Sequence, residues 1–354
     1  MENCAVYLLT QLLVATKGTF TKLSSLILDD ESLAKMCQNL VEEGEFAAAL
    51  ETAQQIEDFY YRAKVLVEIA KAQAQAENFA SALETAKLID SSYLRAKTLI
   101  EIAKAKPNPE NFASAIETAQ QINLPYSQAK ALIEIAKAQA QAGNFTAALN
   151  TAKQMSFSYR RAIALTKIAK AQAQAGNFTA ALNTAQQINF SYSRRVEALT
   201  EIAKAQAQAG NITAALNTAR QIKDSYFRAE AFIEIVKAQA QAGNFTAALD
   251  TAKLIDFSYQ RAEALTEIAK VQVEAKFNKQ ALLTAEKISV NRNQNLPDIA
   301  AAFVENNDKE NFKRLLIPCA YYLDAAYQMC GHLAKLYPDQ ATDIVKIVQK
   351  FQVS

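Results

Sequence analysis

The stretch AKAQAQAGNFTAALNTA fills residues 136–152 and recurs unchanged at 169–185. It returns at 203–219 with Ile212 in place of the phenylalanine. The residue just after the glycine position recurs along the chain as Glu45, Asn78, Asn111, Asn144, Asn177, Asn211, Asn244 and Phe277. The steps are 33 residues, with one of 34 where an extra residue falls near Ser193. A period of this size is the sequence signature of a solenoid. Degenerate copies continue outward, at Gly18-Thr19-Phe20 on one side and Glu310-Asn311-Phe312 on the other. Pro338-Asp339 reads as a last turn. About eleven units result, with atypical ends as expected of caps.

Each unit reads as two helices. The first, for example 161–175, is rich in Ala, Leu, Ile, Lys and Gln, which favour helix. Gly176 then supplies a left-handed stop and Asn177 an N-cap for the next helix. The second helix, 178–188, carries Phe178, Ala181, Leu182, Ala185 and Ile188 on one stripe. The linker has the form I-x-x-S-Y-x-R-A, and its Ser suits an N-cap for the next first helix. The glycine position is filled by Glu77, Glu110 and Lys276 in three copies, which makes those turns the costlier ones. Lys106-Pro107-Asn108-Pro109 interrupts one first helix and shortens it.

Composition agrees. The chain has 354 residues and only seven glycines and six prolines. An average chain of this length carries about 25 glycines. Alanine is roughly one residue in five. These values argue against a β-sandwich, a collagen or a Gly/Ser-rich disordered chain. The expected fold is all-α, a right-handed α-solenoid of antiparallel helix pairs. Residues 1–44 form an N-terminal capping repeat, 45–290 the regular repeats and 291–354 the C-terminal capping repeats.

The units resemble tetratricopeptide-like helical hairpins of the bacterial type. Gly143-Asn144-Phe145 followed by Ala148 and Leu149 sits where that family has Gly-Asp-Tyr, Ala and an aliphatic residue. Ile135-Ala136 corresponds to its Leu-Gly pair. The likeness covers about residues 30 to 290. Departures are the period of 33 in place of 34, Gln139 in place of the first-helix Tyr, and the missing terminal Pro. The resemblance implies that the first helices line the concave, partner-binding surface.

Little points to chemistry. His332 is the sole histidine, so metal sites and Ser–His or Cys–His triads have almost no material. No GxxxxGK[ST] or GxGxxG loop occurs, so neither an enzyme nor a cofactor is expected. Asp29, Asp30 and Glu31 read as helix-cap residues. Cys4, Cys37, Cys319 and Cys330 show no CxxC spacing and read as buried thiols in a reducing compartment. No uncharged apolar run reaches about 18 residues and no signal peptide is evident, so no membrane is implied and the cytoplasm is expected.

On a helical wheel of the copy at 161–175, Ala162, Leu165, Ala169 and Ala173 form one apolar seam. Ala164, Ile168, Ala171 and Ala175 form a second. The remaining polar arc holds Ile163, Thr166, Lys167, Lys170 and Gln174. Two rows on this arc barely vary: Lys71, Lys104, Lys137, Lys170, Lys204, Lys237 and Lys270, and, three residues earlier, Glu68, Glu101, Glu134, Lys167, Glu201, Glu234 and Glu267. Such pairs support a helix and neutralise each other. A third row reads Lys64, Lys97, Lys130, Ile163, Glu197, Glu230 and Glu263. The face is thus basic early and acidic late, although the net charge is +2. Two readings stay open: a bipolar groove for an extended partner of mixed charge, and drift after recent duplication.

Three further rows carry expectations. Gln73, Gln139, Gln172, Gln206, Gln239 and Gln272, continued by Asn306, lie between the two apolar seams and read as a structural amide ladder reaching the next unit or second-helix carbonyls. Tyr60, Tyr93, Tyr126, Tyr159, Tyr192, Tyr226 and Tyr259 read as packing wedges between units. Arg62, Arg95, Arg161, Arg195, Arg228 and Arg261 follow them closely. The expected function is a non-catalytic scaffold or adaptor for a protein or peptide, with self-association also suited to an array. The alternatives are a single-stranded RNA-binding repeat, against which the near-neutral charge weighs, and a sensor working with a separate NTPase.

Overall fold

The computed structural model describes residues 29–320, 322–343 and 346. Gly18 and Cys4 lie outside them. The described chain is a succession of helices joined by short turns. The early helices are α1 (Asp30–Glu42), α2 (Phe46–Ala53), α3 (Phe59–Gln75), α4 (Phe79–Lys87), α5 (Ser92–Ala105), α6 (Pro109–Gln120), α7 (Pro125–Gln141) and α8 (Phe145–Lys153). Then come α9 (Ser158–Gln174), α10 (Phe178–Gln186), α11 (Tyr192–Gln208), α12 (Ile212–Arg220), α13 (Ser225–Gln241) and α14 (Phe245–Ala252). The last are α15 (Ser258–Glu274), α16 (Asn278–Glu286), α17 (Arg292–Glu305), α18 (Lys309–Ala320), α19 (Leu323–Leu336) and a 3₁₀ turn at Pro338–Gln340. No strand occurs among the described residues.

Contacts divide the chain into two compact units. The first holds the described residues up to 172 together with 187–191, and the second holds 173–186 and the described residues from 192. In the first, α1, α3, α5 and α7 pack in series, and each pairs with the short helix that follows it. In the second, α11, α13, α15, α17 and α19 form the same kind of series, with α12, α14, α16 and α18 as short partners. Each unit is therefore a stack of α-hairpins.

The long helices bury alanine and branched aliphatics on two sides. In α7, Ala129, Leu132, Ala136 and Ala140 are buried on one, and Ala131 and Ile135 on the other. In α9 the first seam is buried as expected, but the second ends at Ile168: Ala171 is half-buried and Ala175 exposed. Thr166 is not on the polar arc either. It is buried and its hydroxyl donates to the Ala162 carbonyl at 2.9 Å. The short helices bury an Ala-x-x-Thr-Ala pattern, such as Ala148, Thr151 and Ala152 in α8.

The hairpin turn is a Schellman motif. Asn144 N–H donates to the Gln139 carbonyl at 2.8 Å and Gly143 N–H to that of Ala140 at 3.0 Å. Gly143 sits at φ +79°, and Gly44, Gly176, Gly210 and Gly243 at +76° to +79°. The same left-handed position holds Glu77 at +62° and Lys276 at +66°. The asparagine does not cap as expected. Its ψ near +58° keeps the side chain from the helix end, and Asn78, Asn144, Asn211 and Asn244 make no side-chain cap bond. The backbone bonds of the motif secure the turn instead.

Two copies depart from this pattern. In the first, Glu110 is not at the turn; it lies in the first turn of α6. Pro109 cannot donate a backbone hydrogen bond, which suits the first helical position. Asn108 caps it, its side chain accepting from Asn111 N–H at 2.7 Å. The helix thus starts earlier, α5 is cut to 14 residues against the usual 17, and Phe112 becomes buried. The second is the copy at 292–320. There the turn is Asn306-Asn307-Asp308, with Asn307 at φ +53°, and Glu310-Asn311-Phe312 lies inside α18.

On α5, α13 and α15 the cap lies one residue earlier than expected, whereas α11 begins at Tyr192 with Ser191 just before it. Ser92, Ser225 and Ser258 are first helical residues. The capping residues are Asp58, Ser91 and Asp224, whose side-chain oxygens accept from N–H groups of the first turn. Leu124 and Phe257 hold that position without a side-chain bond.

Candidate functional site

The repeated rows take distinct places in the hairpins. The glutamines lie at the third position from the end of the long helix, so the backbone carbonyls of Gln73, Gln139, Gln206, Gln239 and Gln272 close the Schellman turn. Their side chains are buried and accept from a threonine of the short helix in the same hairpin. Thr85 donates to Gln73, Thr151 to Gln139, Thr218 to Gln206 and Thr284 to Gln272, each at 2.8 Å. The row is structural, as expected, but its partner is the threonine hydroxyl twelve residues on, not a carbonyl or the next hairpin. Gln239 differs: its Oε1 is buried without a partner. Asn306 does not continue the row. It caps α17, while Phe303 fills the equivalent position and is fully buried.

The arginines lock one hairpin to the next. Arg62 donates to the Ile56 carbonyl at 3.0 Å, Arg161 to that of Met155 at 2.9 Å and Arg228 to that of Ile222 at 3.1 Å. Arg62 also pairs with Asp90 at 3.1 Å and Arg228 with Asp256 at 2.7 Å. Cations near a helix C-terminus meet carbonyls that the helix leaves unpaired. Their regular place after tyrosine was legible, but not the carbonyl each seeks.

The tyrosines are not wedges. Tyr60, Tyr126, Tyr159, Tyr192, Tyr226 and Tyr259 are 50–63% exposed, and only Tyr93 is half-buried. Neighbouring Phe59, Leu124, Phe157, Phe190 and Phe257 are exposed too. The long helix begins at or just before the tyrosine, so its ring stands at the helix mouth, ahead of the packed seams. In the first unit the guanidinium of Arg160 lies over the Tyr126 ring, 4.3 Å from its centroid.

The charge rows occupy exposed and half-buried positions. Glu101–Lys104, Glu234–Lys237 and Glu267–Lys270 pair at 2.8, 3.1 and 3.2 Å, and Glu201–Lys204 at 4.0 Å. Such part-exposed pairs contribute at most about 1 kcal/mol each. Burial pulls Lys237 down, yet its bond to Glu234 and the charges of Glu234, Glu267 and Glu263 leave its pKa above the ordinary ammonium value. Lys64, Lys97, Lys130 and Lys170 are exposed, and Lys137 is half-buried. Glu197 is exposed but pairs with Arg194 at 2.7 Å. Glu230 and Glu263 line one cleft of about 310 Å³ with Lys204, Tyr226, Ile233, Glu234, Tyr259 and Gln260. The first unit thus presents a basic row and the second an acidic one.

Other features carry little chemistry. A cleft of about 820 Å³ lies along residues of the short helices and their ends, such as Leu50, Leu83 and Leu88, away from the charge rows. Burial pushes the Cys37 thiol up to about 12, and that of Cys319 to about 11 against the opposing charge of Arg292. Both pack as buried thiols, whereas Cys330 is part-exposed. Burial and then Lys335 lower the pKa of His332, with Asp298 and the Pro297 backbone opposing. Asp29 caps α1, accepting from Ser32 N–H at 2.9 Å. Asp30 accepts from Glu57 and Asp58 N–H groups. Among the described residues no group of His, Cys, Asp and Glu is arranged to hold a metal. No helix among them is long and apolar enough to cross a membrane.

The hairpin stack, the left-handed turn and the small-residue seams define an all-α repeat of helical hairpins. No family model matches the chain, and no curated protein does. Solved structures similar to it include Ton1535 from Thermococcus onnurineus NA1, at 19% identity and a TM-score of 0.29. That match covers 86% of this chain and 99% of the other. A Rap protein complexed with competence and sporulation factor matches at 13% identity and a TM-score of 0.30, over 82% and 97% of the two chains. The STAND protein PH0952 from Pyrococcus horikoshii, which has a tetratricopeptide repeat sensor, matches at 13% and 0.34, over 91% and 54%.

Proposed function

We propose that the protein is a non-catalytic scaffold that binds a protein or extended peptide of mixed charge along the solvent-facing side of its long helices. The observation that supports this is the third charge row. Its neighbours, such as Glu101 and Lys104, neutralise one another, whereas Lys64, Lys97 and Lys130 stand exposed in the first unit, and Glu230 and Glu263 are half-buried at the edge of a cleft in the second. Three lysines one repeat apart suit an acidic stretch, and the carboxylates suit a basic one. Lys137 and Lys170 lie beside that row, as does Lys104, which Glu101 already pairs. The test is capture of the partner from native extract on the immobilised full chain, followed by mass spectrometry. Reversal of Lys64, Lys97 and Lys130 to Glu is expected to weaken its retention and flatten the salt dependence; unchanged retention removes the reading.

The exposed tyrosines favour a second reading, single-stranded RNA stacked on the ring row. The acidic row of the second unit opposes it. Titration of a labelled RNA across a salt series decides: absence of binding at low salt eliminates RNA.

A further inference from the structure

We propose that the cleft between α13 and α15 takes the guanidinium of an arginine in the partner peptide. This rests on the scaffold reading and names what the acidic part of the face receives. Three carboxylates, Glu230, Glu234 and Glu263, line the cleft with one ammonium, Lys204. Lys237 stands beside it but is engaged by Glu234 at 3.1 Å. Tyr226 and Tyr259 line the same cleft and are more than half exposed. A cation held between carboxylates and aromatic faces gains from both.

Gln260 supplies an independent observation. It lines the cleft and is only 5% exposed. Its Nε2 donates to the Tyr226 carbonyl at 3.3 Å, while its Oε1 is buried with no hydrogen-bond partner. A buried acceptor without a donor is costly, and a donor entering the cleft relieves that cost. A guanidinium brings five N–H donors in a plane and also stacks on tyrosine, which an ammonium does less well.

The molecule contains its own stand-in. Tyr126 and Tyr226 occupy equivalent repeat positions, as do Arg160 and Gln260, one hundred residues apart. In the first unit the Arg160 guanidinium lies over the Tyr126 ring at 4.3 Å. In the second, glutamine replaces that arginine, and Glu230 replaces Lys130. The position filled internally in one unit is thus left to an outside cation in the other, with the nearby charge reversed to suit it.

The test is fluorescence anisotropy of a labelled, capped Gly/Ser octapeptide carrying two arginines, with the intact chain at low salt. Lysine and citrulline versions serve as counterparts. The arginine peptide is expected to bind, the lysine version more weakly and the citrulline version not at all. E230Q/E263Q is expected to weaken binding about tenfold or more. Q260R, which installs the guanidinium that the first unit already holds, is expected to do the same. Circular dichroism melts confirm that both variants stay folded; if E230Q/E263Q does not, Q260R alone decides. Equal binding of the citrulline peptide, unchanged affinity in a folded variant or no binding by the wild type overturns the proposal. A labelled heptaglutamate peptide separates this failure from that of the scaffold reading. If heptaglutamate binds and K64E/K97E/K130E abolishes it, only the guanidinium site falls. If neither peptide binds, the charged-face reading falls with it.

Discussion

A single backbone angle recurs at every regular hairpin, and it explains where glycine survives. A Cβ built on Gly143 meets nothing within 4 Å, so its φ of +79° alone demands glycine. Glu77 and Lys276 adopt the same conformation with a side chain attached, at a cost on the order of 1 kcal/mol each. Glu77→Gly should therefore raise stability by about 1 kcal/mol and Gly143→Ala lower it by a similar amount. Thermal denaturation followed by circular dichroism measures both; a drop for Glu77→Gly contradicts the left-handed turn. This position was legible because one residue type tolerates that angle. Glu110 was misread because sequence alignment ignores Pro109, which moves the helix start. At the same scale, burial holds the Cys37 thiol near 12, so thiolate is scarce at any ordinary pH. A thiol reagent near pH 8 should modify part-exposed Cys330 well before Cys37, as peptide mapping over time would show. Faster labelling of Cys37 would place it outside the core.

The helices keep their register through small, repeated polar devices. The Gln–Thr bond fastens the short helix to the end of the long one just where the chain reverses. Its worth has an internal reference, since α1 carries Leu40 where later copies carry glutamine. There Thr52 turns to the Ala48 carbonyl at 2.8 Å. Thr151 has the same fallback, so Gln139→Leu should cost only about 1 kcal/mol. A double-mutant cycle with Thr151→Val, read by denaturant unfolding, should give a coupling energy of about 1 kcal/mol. A coupling near zero would mean the pair does not stabilise the hairpin. The glutamine row was legible as structural from its place between apolar seams. The threonine was not, because Thr151 lies in another helix and threonine at a helical position looks unremarkable. The tyrosines were misread for a related reason: amphipathic rings suit a wedge or an open surface equally. Which one holds depends on where the linker releases the chain, and Asp58 and Asp224 cap the helices beside the rings.

Across the chain, stability and the proposed recognition are divided between different rows of one repeat. Alanine seams, Gln–Thr bonds and arginine clasps occupy the packed sides, and stability in such arrays is approximately a sum over neighbours. The remaining side is free to vary, and there lysine in the first unit gives way to glutamate in the second. Periodicity made the helical repeat legible from sequence, since a small-residue pattern kept over many copies has few other solutions. The proposed recognition face was legible only as rows of charge. Arg194 satisfies Glu197, and the cleft gathers Glu230 and Glu263 around Gln260; both depend on side-chain geometry. The most direct test of the central claim is retention of the captured partner across a salt series, on wild type and on K64E/K97E/K130E. The account predicts salt-sensitive retention by wild type and a loss of about tenfold or more in affinity for the variant. Equal retention by the two proteins at every salt concentration would contradict it.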